Sequence, residues 1–432
     1  MAHNLRGRSG EITADPTPRR HNQKKLFSFL TAASAHASPL AFVAIRWDAP
    51  DMDKTLAETL TGWRRHLHAH PELSLRESAT SAFVCAKLAE LGIPFTAGVG
   101  GTGVVATITR GQSNRSVGLR ADMDALPITE ATNLPYASTN PGVMHACGHD
   151  GHTTSLLGAA ALLARDESWT GTVQLVFQPA EEGYGGAMNM INDGLFDRFP
   201  MEKIFGYHNW PGLEAGTVAV HDTAVMAGGT RITIDIEGHS GHGAMPHLTR
   251  DPMLVAGHMI VALQSVVARN IDPLESAVVS ICAVHGGDAG NVIPGTVQLR
   301  GTARSFNEKT RLVIDENVAR IVQGVAATFG VKATLDMPRG ISATVNHKAE
   351  ADMAAEACAE SGIPVRRDMP PAMTGEDFSW FLHQRPGAFV WIGNGPAEPG
   401  KELHNDKYNF NDDILPNASG FLAGVAKRAL RG

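Results

Sequence analysis

The chain has 432 residues, which is more than one hydrophobic core usually serves, so we expect two domains. With 43% hydrophobic and 19% charged residues, it has the composition of a soluble globular protein, which excludes the disordered and fibrous classes. The net charge of −7, with no basic stripe, argues against nucleic acid as a partner, and no uninterrupted apolar run reaches the roughly 18 residues of a membrane helix, so we expect no membrane partner.

Residues 1–51 differ in composition from the rest of the chain. Basic residues cluster between positions 19 and 25, and a short apolar stretch at 26–37 ends in small residues, which is the order of a weak export signal within residues 1–40. We favour the alternative that translation starts at Met52 or that these residues are a disordered extension, and we exclude them from the fold. The four cysteines are scattered without a disulfide-like pattern, which predicts a reducing, cytoplasmic compartment.

The part of the chain from 52 to 225 alternates between helices and strands. Apolar residues recur at helical spacing over 52–70 and again over 77–91. Four later segments are short, β-rich and apolar on both faces, as in a sheet that is covered on both sides: 103–109, 116–120, 171–177 and 203–207. This alternation predicts an α/β fold.

Polar side chains follow three of these strands at the point where each strand ends. They are Asp122 and Asp124, Glu181 and Glu182, and His208. In an open α/β sheet the carboxyl ends of the strands line the ligand crevice, so we expect these side chains to lie at one rim. Taken singly, each aspartate has a simpler interpretation as a turn or helix-cap residue.

The densest cluster of metal-binding residue types is the stretch 144–152, Met-His-Ala-Cys-Gly-His-Asp-Gly-His. It places one thiol, three imidazoles and one carboxylate within nine residues, and these are the ligands of zinc and related ions. Cys147 and His149 are separated by one glycine, so both side chains can turn towards one point. The alternative is that Cys147 is a small core residue and the histidines are polar groups at the start of a helix.

The segment 226–340 has a different pattern. A strand at 230–236 alternates apolar and polar residues, and Asp251-Pro252 opens a helix that runs to about 268. Two strands, a long helix and a last strand follow, at 277–284, 295–305, 308–329 and 331–336. The order β-α-β-β-α-β is that of a ferredoxin-like sandwich, which predicts a second domain at 226–340 inserted in the first.

The α/β pattern returns after the insertion, so we expect the first domain to comprise residues 52–225 and 341–432. The predicted elements are a helix at 347–361, a short helix after 375–378, a strand at 388–392 and a terminal helix from about 416. His404 stands between the last two, in the segment Leu403-His404-Asn405.

Five side chains are candidate metal ligands: Cys147, His149, Glu182, His208 and His404. This is more than one tetrahedral ion requires, whereas two ions that share a bridging ligand would use about that number. A thiolate can bridge two cations, which would keep it deprotonated. Glu181 and Glu182 point differently in an extended segment, so one can bind metal while its neighbour stays free as a base, which the hydrolysis of an amide requires.

Six ordered motifs resemble the M20 metallopeptidase family, in the branch of the hippurate hydrolases, N-acyl-amino-acid amidohydrolases and auxin-conjugate hydrolases. They are Arg120-Ala-Asp-Met-Asp-Ala-Leu-Pro127, His145-Ala-Cys-Gly-His-Asp-Gly-His152, Gln178-Pro-Ala-Glu-Glu-Gly183, Tyr207-His-Asn-Trp-Pro211, Gly241-His-Gly-Ala-Met-Pro-His247 and Gly375-Glu-Asp-Phe378. The resemblance covers residue 52 to the end. It implies a zinc-peptidase-like α/β catalytic domain with an inserted ferredoxin-like lid, which often dimerises, so a homodimer or homotetramer through the lid is expected.

The resemblance also implies roles for individual residues. The five candidate ligands match the ligands of the family, and Glu181 matches its general base. His242 matches a lid histidine that reaches the site of its own or of the partner subunit and stabilises the oxyanion. Asn291 resembles a position that contacts the substrate carboxylate, although a simple turn asparagine fits the sequence equally well. Asp122 and Asp124 are expected to orient the ligands.

These residues predict a metal-dependent amidohydrolase of N-acyl amino acids, of the hippurate or N-acetyl type. A metal-bridging water loses its proton to Glu181, attacks the acyl carbonyl, and Glu181 passes the proton to the leaving amine. The expected cofactors are two divalent ions, Mn²⁺, Zn²⁺ or Co²⁺. The alternatives are a dipeptidase of the same family, a non-catalytic protein that binds metals or acyl-amino acids, and a cysteine hydrolase with Cys147 as nucleophile.

Overall fold

The computed structural model describes residues 52–183 and 185–431. The predictions of an export signal, a disordered extension or a late start concern residues 1–51 and lie outside the described residues. The first helix begins at Met52, as its amphipathic pattern predicts, and buries the apolar face formed by Leu56, Leu60, Trp63 and Leu67.

The described residues from 52 to 226 form five helices and seven strands. The helices are α1 (Met52–Ala69), α2 (Ser78–Glu90), α3 (His149–Arg165), α4 (Gly186–Asn192) and α5 (Leu195–Arg198). The strands are β1 (Phe95–Val99), β2 (Gly103–Arg110), β3 (Ser116–Asp122), β4 (Gly171–Gln178), β5 (Lys203–Pro211), β6 (Val218–Ala219) and β7 (Ala224–Met226). Strand β1 was not predicted, and β3 and β5 are longer than predicted, so that Asp122 and His208 lie within strands.

The segment 228–336 forms a sheet of its own. Its elements are β8 (Gly228–Glu237), β9 (Gly241–His242), α6 (Pro252–Asn270), β10 (Ala277–His285), β11 (Val292–Ile293), β12 (Thr296–Ser305), α7 (Glu308–Phe329) and β13 (Lys332–Asp336). The four long strands are antiparallel in the order β10-β12-β8-β13, which is the strand order of a ferredoxin-like sandwich. The predicted fold class is confirmed, whereas the domain boundaries at 226 and 340 stay a prediction.

Helix α6 begins where its capping residues predict. The side chain of Asp251 accepts hydrogen bonds from the amides of Met253 and Leu254, and Pro252 occupies the first turn. One face of the helix packs with α7 and the sheet in a core of branched aliphatic residues. Among the described residues, α6 is the one helix long and apolar enough to cross a membrane, and a helix packed in a protein core shares those properties.

The rest of the chain completes the first sheet. It adds β14 (Thr344–Val345), α8 (Lys348–Glu360), β15 (Val365–Arg366), α9 (Ser379–Leu382), β16 (Gly387–Gly395) and α10 (Leu415–Arg431). The main sheet has the order β1-β2-β4-β3-β5-β16-β6-β15, and its central strands β4, β3, β5 and β16 are parallel. Nearly every residue of these four strands is buried, because helices cover both faces of the sheet. The candidate residues at the carboxyl ends of β3, β4 and β5 therefore lie on the same side of the sheet.

Candidate metal centre

The turn at Gly148 brings Cys147 and His149 to one point. Gly148 has φ 92° and is the N-cap of α3, a left-handed conformation that glycine adopts without strain. His149 then occupies the first position of the helix, and Cys147 lies just before it. Both side chains are buried. The side chain of His208, on strand β5, is buried as well.

Two groups of three ligand atoms meet at the thiol. Cys147, His149 and His208 have their ligand atoms within 4.8 Å of one another, and so do those of Cys147, Glu182 and His404. The sulfur of Cys147 lies 3.3 Å from Nε2 of His208, and Oε1 of Glu182 lies 3.2 Å from Nε2 of His404. The structure thus brings all five candidate ligands together, with Cys147 common to both groups.

In the buried His149 and His208, a hydrogen bond at Nδ1 makes Nε2 the nitrogen that can bind a metal ion. Nδ1 of His149 hydrogen-bonds to both the carbonyl and the carboxylate of Asp124, which makes Nδ1 the donor, so that in the neutral imidazole Nε2 carries the lone pair that a cation would bind. That Nε2 is buried and has no hydrogen-bond partner among the described residues. Nδ1 of His208 likewise donates to the carbonyl of Asn209 over 2.7 Å. A buried lone pair without a partner is costly, and a cation would satisfy it.

Glu182 and His404 form the more open side of the centre. In the described part of the chain, the buried Oε1 of Glu182 has no hydrogen-bond partner of good geometry besides its close contact with His404, whose side chain is 52% exposed. His404 has φ 63°, and its amide donates to the carbonyl of Ala146 over 2.8 Å, which fixes a loop distant in sequence beside the cluster. This conformation is uncommon for a residue with a side chain and is typical of functional sites.

Negative charge accumulates at the centre. Burial disfavours the charged imidazole of His149, but Asp122 and Asp124 outweigh this effect and raise its pKa to about 10. Burial, followed by the carboxylates of Glu182 and Glu181, raises the pKa of the Cys147 thiol well above its usual value. Divalent cations would neutralise this charge and favour the thiolate, so the donor set fits two cations.

Glu181 lies beside the ligands but is held by different partners. Its amide donates to Oδ1 of Asp124 over 3.1 Å, and its Oε1 accepts a hydrogen bond from the amide of Asp377 over 3.3 Å. Its carboxylate lies close to those of Glu376 and Asp377. Burial, and then the charge of Glu376, raises the pKa of Glu181 well above its ordinary value, which suits a group that accepts a proton.

Asp122 and Asp124 contact the ligand-bearing segments as orienting groups would. Asp124 accepts from His149 and from the amides of Glu181 and Glu182. Asp122 binds Nδ1 of His152 over 2.6 Å, and Nε2 of His152 accepts from the amide of Asn209, next to His208. Oδ2 of Asp122 also lies 3.7 Å from Nε2 of His149.

Sequence reasoning assigned no role to the buried charges behind Glu181. Arg120 is fully buried and donates to Asp122 over 2.7 Å, to Glu376 over 2.9 Å and to Asp377 over 3.2 Å. Gln178 completes the group by accepting from Arg120 and donating to Asp377. All of these residues stand in the six motifs, but the sequence gives no sign that motifs from opposite ends of the chain meet.

A second buried network, built around His68, has no role in the sequence-based predictions. Nδ1 of His68 lies 2.8 Å from Asp150, and its Nε2 lies 3.3 Å from Glu130. Burial opposes the charged form, but these two carboxylates raise the pKa of His68 to about 9. This network fixes α1 to the start of α3, which carries His149.

The two predicted residues of the inserted segment lie together. His242 on β9 pairs with Val292 on β11, next to Asn291, whose carbonyl accepts from the amide of Gly243 over 2.8 Å. Both His242 and Asn291 are exposed. Within residues 52–183 and 185–431, His242 belongs to none of the candidate metal groups, and no hydrogen bond or ion pair joins either side chain to the five candidate ligands, so their predicted roles stay a prediction.

Known proteins resemble this chain over most of its length. The model of peptidase family M20/M25/M40 matches residues 118–428. The hippurate hydrolase of Campylobacter jejuni subsp. jejuni is 40% identical over 370 residues, which cover 85% of this chain and 96% of that protein. The N-acetyl-L-cysteine deacetylase of Bacillus subtilis is 39% identical over 377 residues, with 87% and 89% covered.

A solved structure matches the fold as well. The YXEP protein of Bacillus subtilis, a dinuclear metal-binding peptidase, matches 88% of this chain and 99% of its own chain, with 35% identity and a TM-score of 0.77. The resemblance seen in the six motifs is thereby confirmed.

Proposed function

This chain belongs to peptidase family M20/M25/M40, and from that premise we propose how its residues carry out the reaction. It is a metal-dependent amidohydrolase that cleaves the amide bond of N-acyl amino acids. Our proposal concerns the site: Glu181 is the general base, and five side chains hold two divalent cations. The observation that supports it best is the pair of ligand groups that share Cys147, with Glu181 beside them.

We assign the cations to the two groups as the distances suggest. Cys147, His149 and His208 would hold one ion, and Cys147, Glu182 and His404 the other. When bound, the cations would polarise the acyl carbonyl and acidify the attacking water. Thiolate and imidazole ligands favour Zn²⁺, and Mn²⁺ or Co²⁺ could support the same chemistry.

Glu181 moves the proton in this mechanism. Its carboxylate accepts a proton from the attacking water and delivers it to the nitrogen of the leaving amine, so it is regenerated as the amide bond breaks. The raised pKa of Glu181 suits both halves of this exchange. The amide of Asp377 holds one carboxylate oxygen, and the other would face the substrate.

We further propose that the segment 226–340 is a lid that contributes His242 and Asn291 when substrate is bound. This is supported by their neighbouring positions: His242 lies on β9, and Asn291 directly precedes β11, which pairs with β9. A movement of the segment would carry both residues together. His242 would donate to the developing oxyanion, and Asn291 would bind the substrate carboxylate. We also propose a homodimer or homotetramer formed through this lid, and a cytoplasmic location.

The decisive experiment replaces Glu181 by Gln in the full chain. Glu181→Gln should lower kcat for N-benzoylglycine or N-acetyl amino acids by several orders of magnitude, because an amide cannot accept the proton. The metal content should stay at that of the wild type. The matched control is Glu202→Gln, an exposed glutamate paired with Arg115, which should leave kcat unchanged. A near-normal rate for Glu181→Gln would remove Glu181 from the mechanism.

Metal removal separates the rival functions. Chelation should abolish hydrolysis, and Mn²⁺, Zn²⁺ or Co²⁺ should restore it, whereas a cysteine hydrolase would keep its activity without metal. A screen of N-acyl amino acids against dipeptides separates an amidohydrolase from a dipeptidase. Binding of these compounds without turnover would indicate the non-catalytic protein.

A further inference from the structure

The turn that carries Glu181 and Glu182 begins at a residue in a strained conformation. Ala180 has φ 54°, in the left-handed region that residues with a Cβ rarely adopt. Such conformations persist only where the surroundings hold them in place, and they concentrate at functional sites. Ala180 is completely buried, so its backbone groups need partners within the protein.

A single carboxylate oxygen holds this residue. Oε1 of Glu77 accepts a hydrogen bond from the amide of Ala180 over 2.9 Å and another from the amide of Leu75 over 3.0 Å. Leu75 has φ 65° and is also a non-glycine residue in the left-handed region. Two strained residues from distant parts of the chain therefore share one acceptor, which an ionised carboxylate provides better than any neutral group.

Glu77 is itself held in place. It is fully buried, and its Oε2 accepts a hydrogen bond from the hydroxyl of Thr102 over 2.6 Å. The carbonyl of Ala180 accepts from the amide of Gly186 over 3.0 Å. A Cβ at position 186 would lie 1.6 Å from the carbonyl oxygen of Pro179, so this close approach requires glycine.

The next two amides point to a second carboxylate. The amides of Glu181 and Glu182 donate to Oδ1 and Oδ2 of Asp124, each over 3.1 Å. Three consecutive amides, from 180 to 182, are thus bound by two buried acids that come from different elements. Asp124 also contacts the ligand His149, whereas Glu77 contacts none of the five candidate ligands by hydrogen bond in the described part of the chain.

We propose that Glu77 is a positioning residue for the reaction: by holding Ala180 in its left-handed conformation, it aims the carboxylate of Glu181 at the substrate. The proposal rests on the proposed function, in which Glu181 is the base. Without Glu77, the amide of Ala180 loses its acceptor, and the residue relaxes towards an ordinary conformation. Because Glu181 follows directly, its carboxylate is displaced, and a base displaced by a fraction of an ångström loses much of its rate.

Glu77→Met tests this in the full-length enzyme, because methionine fills similar space without an acceptor. We expect kcat for N-benzoylglycine, or for the best N-acyl amino acid of the screen, to fall about 10- to 100-fold. KM and metal content should change less than about twofold, since the ligands stay in place. Glu77→Gln keeps one carbonyl oxygen for the two amides, with its amide nitrogen facing Thr102, and should retain kcat within about threefold.

A second substitution separates positioning from general stability. Glycine adopts positive φ without a Cβ penalty, so Ala180→Gly should restore at least about fivefold of kcat to Glu77→Met. Ala187→Gly is the matched control, because it adds flexibility in the same segment at a helical residue that carries no such strain. It should restore nothing.

The proposal fails if Glu77→Met keeps kcat, if it loses metal in proportion to activity, or if Ala180→Gly restores no more activity than Ala187→Gly. Should Glu77→Met not fold, Thr102→Val replaces it: kcat should fall about threefold and recover with Ala180→Gly, and an unchanged kcat would overturn the proposal. Other results would show that the proposed function itself is wrong: no hydrolysis by the wild-type enzyme, or full activity of Glu181→Gln.

Discussion

Asp124 holds the imidazole of His149 in a single orientation: the backbone carbonyl of Asp124 accepts from Nδ1 of His149 over 2.9 Å, and its carboxylate lies 3.2 Å from the same nitrogen. A carboxylate behind a ligating histidine fixes its tautomer and makes the other nitrogen a stronger donor to the metal. Its two oxygens also bind the amides of Glu181 and Glu182, so one side chain orders a ligand segment and the catalytic turn.

Asp124→Asn should therefore weaken metal binding. An asparagine has one acceptor oxygen for four donors, since the hydroxyl of Ser74 also donates to this carboxylate, so we expect metal affinity to fall about 10- to 100-fold, with a loss of kcat at subsaturating metal. Competition with a fluorescent chelator measures the affinity. Asp166→Asn, which affects a surface aspartate paired with Lys427, is the control and should bind metal as the wild type does. Equal affinities for Asp124→Asn and the wild type would show that Asp124 does not orient His149.

The stability of the fold should depend on pH through His68. Its pKa is raised to about 9, above the usual 6.5, so its contribution is fully present below pH 6.5 and is lost as the pH rises through 9. The shift in pKa corresponds to a contribution of roughly 3 kcal/mol to the free energy of unfolding. In urea unfolding, the advantage of the wild type over His68→Gln should shrink by about this amount between pH 6 and pH 9.5. An advantage that stays constant over this range would contradict the prediction.

The sequence predicts elements well where local signals agree. Helix α7 is predicted and observed at 308–329, because helical periodicity ends at Gly330, which has φ 63° at the C-cap. The three strands that lead to Asp122 and Asp124, to Glu181 and Glu182, and to His208 are also neighbours in one sheet, since parallel strands deliver their carboxyl ends to the same side.

Other features depend on contacts that the sequence does not display. Strand β5 continues past His208 because it pairs with β16, where His208 lies opposite Trp391, and a polar His-Asn pair alone resembles the end of a strand. Strand β1 is short and mostly exposed, so it lacks the apolar pattern of the buried strands. Glu77 stands 103 positions before Ala180, and only the folded chain shows that they meet.

The charge of Arg120 should be essential to the fold. Its guanidinium is fully buried and neutralises parts of three buried carboxylates: Asp122, Glu376 and Asp377. Removing one partner of a buried ion pair leaves uncompensated charge, so Arg120→Met should lower the free energy of unfolding by about 3–5 kcal/mol.

Arg198→Met is the matched control for this change. Arg198 pairs with Asp193 at the surface, where both side chains are more than 40% exposed, so the loss should stay below about 1 kcal/mol. Chemical denaturation at pH 7 with the metals present measures both variants. A loss for Arg120→Met no larger than that for Arg198→Met would mean that the three acids do not depend on this cation.

Gly148 should be required for metal binding as well as for folding. A Cβ at this position would lie 2.3 Å from Nδ2 of Asn209 and 2.7 Å from the hydroxyl of Tyr408. Asn209 donates to the carbonyl of Cys147 over 2.7 Å, so displacing it would move the proposed bridging ligand. Gly142 has a similar φ of 79° but open space around its Cβ position, so Gly142→Ala isolates the cost of the conformation itself, about 1–2 kcal/mol.

Gly148→Ala should lower the free energy of unfolding by the same amount as Gly142→Ala, and by roughly a further 1–3 kcal/mol because of the steric conflict. It should also lower the number of bound cations, whereas Gly142→Ala should keep the wild-type metal content because its turn carries no ligand. Thermal unfolding and metal analysis of the two variants side by side separate these effects. If Gly148→Ala bound as much metal as Gly142→Ala, the close packing between the Cys147–His149 turn and Asn209 would not determine the geometry of the centre.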